Sequence, residues 1–457
     1  MQKSRKITRN YSDPTFIFSP QPFAVAIFIF SLLCTLIPVS LYEKAVFERD
    51  YMFLNFRMYA YISLCTLMFI ISSYSAFYIL TAISKNPKIS WIRSISTPKG
   101  SYILTLIYLI TIVNILLIGI RIWFAATSIG LSAIFSSLTG GGGGQLRDNI
   151  INSVASGKIG WTSDMSLALT VSIWWIACQV DENYRKKTLF IAIVNVILFS
   201  FMSLLSLSRD TLLTAILILL IIQLSNYKIH NLRSRLRVLL AILSGIVLFT
   251  IVFVFIGNSR ASGGNDTYLS QFIGYFPSSY NRLAALIEGK LQFPSSGIGY
   301  YSTQGLWDFP VLSNIFNFYS IGREMGLDLP LSNLDNWSQQ FTAVSSSGLN
   351  RSFIWLTTYG FAFADFRWFG IFYFLFSGCF IGIAYYYFRN RSLIGGIMYP
   401  YLLTTVIKWW SISYFSTRTT SIFVIVAVLI WFLSFILHAS LLRKNESSSL
   451  IVSGTGQ

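Results

Sequence analysis

The side chains best suited to chemistry on a polar anion are arginines set among small hydroxylated residues. Arg209 stands in Leu207-Ser208-Arg209-Asp210 and Arg260 follows Gly257-Asn258-Ser259. Arg282 closes Ser278-Ser279-Tyr280-Asn281-Arg282, and Arg418 lies in Ser416-Thr417-Arg418-Thr419-Thr420. A guanidinium fork suits bidentate recognition of phosphate oxygens, and Ser or Thr hydroxyls add donors to the same oxygens. Each arginine taken singly fits a surface charge or an interfacial anchor. Together, in the same flanking chemistry, they favour an anion-binding site. Carboxylates able to act as general base are Asp210, Asp266, Glu288 and Asp365. Asp210 also suits a helix N-terminus, where an acid favours the dipole, and Asp365 also suits an ion pair with Arg367.

Other chemistries lack their residues. The run Gly140 to Gly144 is followed by no Gly-Lys-Ser/Thr, so it is not an ATP phosphate loop. The polar segments contain no Asp-x-Asp pair, and no His/Cys/carboxylate cluster has zinc spacing. The expectation is a metal-independent reaction without a cofactor. Cys34, Cys65, Cys178 and Cys379 all fall in apolar runs and outline no disulfide framework. Lys408, beside Trp409 and Trp410, reads as a snorkelling side chain.

These residues must be positioned by membrane helices. The 457-residue chain is 54% hydrophobic and 11% charged, with mean hydropathy +0.62, against about 25% charged in soluble domains. The fold class expected is all-α, a polytopic integral membrane protein in one domain, 1–457. At about 20 apolar residues per crossing, ten spans are predicted, roughly 22–42, 58–83, 102–125, 162–180, 188–206, 211–225, 238–257, 367–388, 394–415 and 420–441. The apolar piece 353–366 is too short to cross alone, and reads as re-entrant, interfacial, or an upper extension of the next helix; such pieces raise the count to eleven or twelve. The +17 net charge sits in alternate short loops, such as Arg185-Lys186-Lys187 and Arg233 to Arg237. That is the positive-inside pattern and not a nucleic-acid surface. It places both termini, His230 and His438 on the cytoplasmic side. No cleavable signal peptide is evident before the first span.

The remaining long polar stretch, 258–352, then lies outside, carrying both signs of charge and many Tyr and Trp, among them Tyr280, Tyr300, Trp307 and Trp337. A connection of that length is functional or disordered, and its aromatic content argues against disorder.

The layout resembles the Wzy-type oligosaccharide repeat-unit polymerases, which include the O-antigen polymerases. The resemblance rests on ten or more spans with a large late extracytoplasmic loop, on Leu207-Ser208-Arg209-Asp210 opening a central helix, and on the loop exit. That exit runs from Asn350-Arg351-Ser352 through Tyr359-Gly360 and Ala364-Asp365-Phe366 to Gly370. It implies a GT-C-like membrane glycosyltransferase of the bacterial inner membrane, joining undecaprenyl-diphosphate-linked oligosaccharide units into a surface polysaccharide at the outer face. Under it Arg209, Arg260, Arg282, Arg351, Arg418 and Tyr280 would bind substrate, and Asp210 or Asp365 would be catalytic. Its partners would be the lipid-linked donor and acceptor, membrane lipids and a chain-length regulator, with no nucleic acid. An O-antigen ligase shares the layout but is described as using an outward histidine, which this chain lacks. A lipid-oligosaccharide flippase needs charge along an internal cavity and, by alternating access, an internal repeat that is not apparent.

Overall fold

The computed structural model describes residues 14–48, 55–84, 102–128, 130, 132, 161–180, 182–205, 209–226, 240, 244, 268–309 and 312–453. Among them every regular element is helical. Five helices are long and apolar enough to cross a membrane: Phe56–Ile83, Leu104–Trp123, Glu182–Ser203, Thr357–Arg389 and Arg418–Leu437. The chain is thus a helical membrane protein. Apart from residues 240 and 244, the predicted span 238–257 lies outside the described residues, as does the run Gly140 to Gly144.

The first predicted span is not one straight helix. It divides into α1 (Pro20–Thr35) and α2 (Val39–Val46), bent by 91°. Pro38 stands at the break, where a residue without an N–H cannot carry the helical ladder onward. Helix α3 (Phe56–Ile83) starts where Asn55 accepts from the Met58 N–H at 2.9 Å. Then follow α4 (Tyr102–Ser128), α5 (Trp161–Gln179), α6 (Glu182–Leu205) and α7 (Arg209–Ser225). Helix α5 is not among the five apolar spans. Its Ser163, Ser166, Thr170 and Ser172 are buried against neighbouring helices instead of facing lipid. Asn114 of α4 donates to Thr170 Oγ1 and to Asn195 Oδ1, each at 3.0 Å, and accepts from Ser166 at 2.7 Å. One amide therefore ties α4, α5 and α6 together, a polar join of the kind that holds helices in lipid.

The late polar stretch is a set of short helices: α8 (Tyr268–Tyr275), α9 (Pro277–Ile287), α10 (Tyr300–Trp307), α11 (Leu312–Phe316), α12 (Phe318–Glu324) and α13 (Asn333–Ser346). It returns through α14 (Thr357–Phe366), α15 (Ile371–Arg389), α16 (Leu393–Ile407) and α17 (Arg418–Ser453). The apolar piece 353–366 is accordingly an extension of the next helix, joined to α15 through a tight turn at Arg367, whose φ is 54°. Helix α16 is shorter than predicted. It stops at Ile407 because the Lys408 side chain turns into the protein, and the backbone beyond bonds elsewhere: Thr358 N–H donates to Trp409 O at 2.8 Å.

Close approach between α15 and α3 depends on two glycines a turn apart. A methyl on Gly378 would lie 2.7 Å from Phe69 O, and one on Gly382 would lie 2.3 Å from Ser73 O. Small residues at this spacing let two backbones meet where the hydrophobic effect offers no drive between helices. On the other side, Gly396 of α16 gives its space to the Trp175 ring of α5.

Candidate functional site

One end of the bundle gathers charge from five helices. Arg418 opens α17 and grips Asp164 of α5, with Nε at 3.1 Å and Nη2 at 2.9 Å from the same carboxylate oxygen. Arg121 of α4 lies within electrostatic reach of both groups. Its Nη1 is buried and has no hydrogen-bond partner among the described residues. Two guanidiniums thus lie in the field of one carboxylate, which bonds Arg418 and leaves the other with an unused donor. Asp210, in the first turn of α7, accepts from Lys408 Nζ at 2.6 Å. Lys408 also donates to Thr214 and lies 4.5 Å from the Tyr414 ring centre. Its side chain is 7% exposed while that of Asp210 is 53% exposed. The expected snorkelling is therefore corrected: the ammonium points inward, because a buried charge must be paired. Tyr401 spans the two clusters. Its hydroxyl accepts from Thr420 at 3.2 Å, and its surroundings include both Asp164 and Asp210.

The loop closes over this end through α10, which packs on the start of α17: Ser421 Oγ donates to Gly305 O at 3.2 Å. Asp308, just past α10, accepts from Tyr319 Oη at 2.7 Å, and Tyr319 lies 3.3 Å from Tyr300 Oη. Burial pushes the Asp308 carboxyl above the ordinary carboxylate range, against the opposing pull of the Tyr319 hydrogen bond and the Arg418 charge.

The other candidates from the sequence sit elsewhere. Arg209 is the first residue of α7; its side chain and the whole of Arg260 lie outside the described residues, as does Asp266. Arg282 is buried, not open to a mouth. It donates to Glu48 at 2.6 Å, Ser278 O at 3.0 Å and Asn350 O at 2.8 Å. Glu48 also accepts from the Asn350 N–H at 2.7 Å and from Tyr42 at 2.5 Å. This cluster joins the segment after α2 to the loop exit, and it uses the guanidinium on protein groups. Tyr280 is likewise fully buried, with no partner for its hydroxyl among the described residues. Arg351 is exposed beside that cluster. Asp365 is 4% exposed and accepts from the backbone N–H groups of Tyr301 at 3.3 Å and Ser302 at 2.6 Å. It caps α10 from a distance and does not pair with Arg367, whose guanidinium lies over the Phe363 ring. Glu288 is exposed and accepts from Asn55.

Of the residues named from sequence, Asp210 and Arg418 stand in the charged belt. Arg121, Asp164 and Asp308 were missed. An arginine inside the apolar run of α4 was itself a signal, since ionisable groups within a membrane helix are costly and retained for a use. Nothing in the sequence distinguished Asp308 from the other loop acids. Among the described residues no group of His, Cys, Asp and Glu has the arrangement of a metal site. No family model matches the chain, and no curated protein or solved structure shows significant similarity to it.

Proposed function

We propose that this chain is a membrane glycosyltransferase that joins polyprenyl-diphosphate-linked oligosaccharide units into a surface polysaccharide, in the manner of the Wzy-type polymerases. The observation that carries the reading is the Arg418–Asp164 ion pair at the end of the bundle, with Arg121 within electrostatic reach of both groups and holding an unused guanidinium donor. Preorganised positive charge at that depth suits a leaving diphosphate whose charge grows in the transition state. In the transfer, an acceptor sugar hydroxyl bonds to the anomeric carbon of the donor while the bond to the diphosphate breaks. The hydroxyl proton passes to a carboxylate. Asp308 suits that role, because burial raises its basicity and it lies within electrostatic reach of Arg418. Trp307, partly exposed on α10, supplies a ring face for a sugar nearby. The transfer is proposed to proceed without metal or cofactor.

On this reading the belt faces the outside of a bacterial inner membrane, the termini lie in the cytoplasm, and the shorter helices α5, α7 and α16 belong to about ten crossings in all. The substrates are a lipid-linked donor and acceptor, with a chain-length regulator as a further partner.

The test is the surface polysaccharide of a deletion strain, resolved on a gel. Loss of the ladder with a single-unit band retained is expected. Loss of every unit would indicate a flippase or a synthesis enzyme instead, and accumulation of free lipid-linked polymer a ligase. Complementation with Arg121→Lys separates charge from fork geometry: the ladder should remain absent at normal membrane abundance.

A further inference from the structure

The short helices α11 and α12 and their flanks carry an apolar surface left open among the described residues. Leu306 is 61% exposed, Ile315 66%, Phe316 55%, Met325 76% and Leu331 70%. Side chains this large and this open, grouped on one segment, exceed what a water-facing surface ordinarily shows. Few charges accompany them. Arg323 folds its guanidinium back onto Pro330 O at 2.7 Å, and Glu324 accepts from Ser320 at 3.2 Å.

The depth of this segment follows from its anchor. Gly305 is pressed against the first turn of α17, where a methyl group would lie 2.8 Å from Thr417 O. Leu306 is the next residue. The segment therefore emerges level with the start of the membrane span Arg418–Leu437, whose open apolar side chains begin with Val428, 46% exposed, and Leu429, 49% exposed.

We infer that the exposed face of Ile315, Phe316, Met325 and Leu331 is seated in the acyl-chain boundary of the bilayer, so that the late loop rides partly in the membrane interface. Burial of large apolar side chains to headgroup depth is how interfacial helices hold to a membrane. The interfacial seat fixes α10, and with it Asp308, at the level where lipid headgroups lie. The inference needs only a membrane-spanning chain and does not depend on the proposed transferase activity.

The experiment is spin labelling of the full chain, with Cys34, Cys65, Cys178 and Cys379 replaced by alanine and one new cysteine per variant. Phe316→Cys and Met325→Cys are labelled and reconstituted into phosphatidylethanolamine–phosphatidylglycerol vesicles. Collision with oxygen, which partitions into lipid, is compared with collision with a water-soluble nickel chelate. Phe432→Cys gives the lipid reference and Gln339→Cys, exposed on α13, the water reference. The oxygen-to-nickel ratio at 316 and 325 should match that of 432 and stand severalfold above that of 339. A ratio like that of 339 overturns the inference by showing water. Exclusion of both reagents overturns it by showing another protein, and dipolar broadening would identify that protein as a second copy. A chain with its native cysteines provides an independent check: a phosphatidylcholine bearing a diazirine on its acyl chain should leave adducts on α11 and α12, and their absence there counts against the inference.

Discussion

Arg282 and Glu48, 234 residues apart, meet at 2.6 Å with side chains 0% and 1% exposed. The pair joins the chain just after its first two helices to α9, early in the long loop, and both partners also bond Asn350 at the loop's exit. Removing one partner leaves the other charge buried without compensation, at a cost of about 3–5 kcal/mol. Arg282→Ala and Glu48→Ala should each lower the melting temperature in detergent sharply, while Arg282→Met with Glu48→Leu should recover much of it. Single variants as stable as the parent would show that this pair is no strut.

The Lys408–Asp210 pair should respond asymmetrically. Lys408 is buried and Asp210 half open to solvent. Asp210→Ala strands an ammonium away from water, whereas Lys408→Met leaves a carboxylate that water can still reach. The first should destabilise by about 3 kcal/mol and the second by clearly less. Thermal unfolding of the two purified variants decides it; equal losses would contradict the burial.

Asp308 makes stability depend on pH. Its folded-state pKa is raised, chiefly by burial, so the folded chain holds a proton that the unfolded chain releases from about pH 4 upward. The contribution is full below the unfolded pKa and is lost as pH rises through the folded one. Asp308→Asn keeps an acceptor for Tyr319 and removes the titration. Its melting temperature should fall less than the parent's between acid and neutral pH. Parallel profiles for parent and variant would refute the assignment.

Loss of Arg121 should cost activity without costing the fold. Its Nη1 lacks a partner among the described residues, so Arg121→Gln should leave membrane abundance and melting nearly unchanged. Polymer formation on lipid-linked units should drop by about 10²–10³, the usual effect of deleting one donor to a developing anion. A variant that is both active and stable would remove Arg121 from the site.

Gly382→Val should separate α15 from α3, because even a Cβ there would meet Ser73 O at 2.3 Å. A disulfide engineered between the two helices further along their contact should then form more slowly. An unchanged rate would show that the contact tolerates bulk.

The helices were legible in the sequence where apolar runs were long and unbroken: the predicted 58–83 and 420–441 fall on α3 and the start of α17. The predicted 162–180 likewise falls on α5, although Ser and Thr stand there among the apolar residues because other helices bury it. The break at Pro38 was visible in principle but lay inside a run of spanning length. The site was half legible. Asp210 and Arg418 advertised themselves at helix starts. Arg282 had the same local chemistry, yet its partner Glu48 lies far back in the chain, and no local pattern can report a contact of that range. Asp308 gains its character from burial, which comes only once the loop has folded onto α17.

The contact between α3 and α15 has a bearing on how the chain is made. Ser72 and the Cys379 thiol meet across 307 residues. At synthesis rates of about 5–20 residues per second, α3 stands in the bilayer for roughly 15–60 s before its partner exists. It can wait, because Ser72 and Ser73 each donate their hydroxyls to carbonyls of their own helix, Phe69 O at 3.1 Å and Ile70 O at 3.2 Å. The face that later receives Gly378 and Gly382 therefore shows lipid no unsatisfied donor. Assembly of the bundle can be postponed to the arrival of the last helices, with the early ones stored safely in the membrane meanwhile.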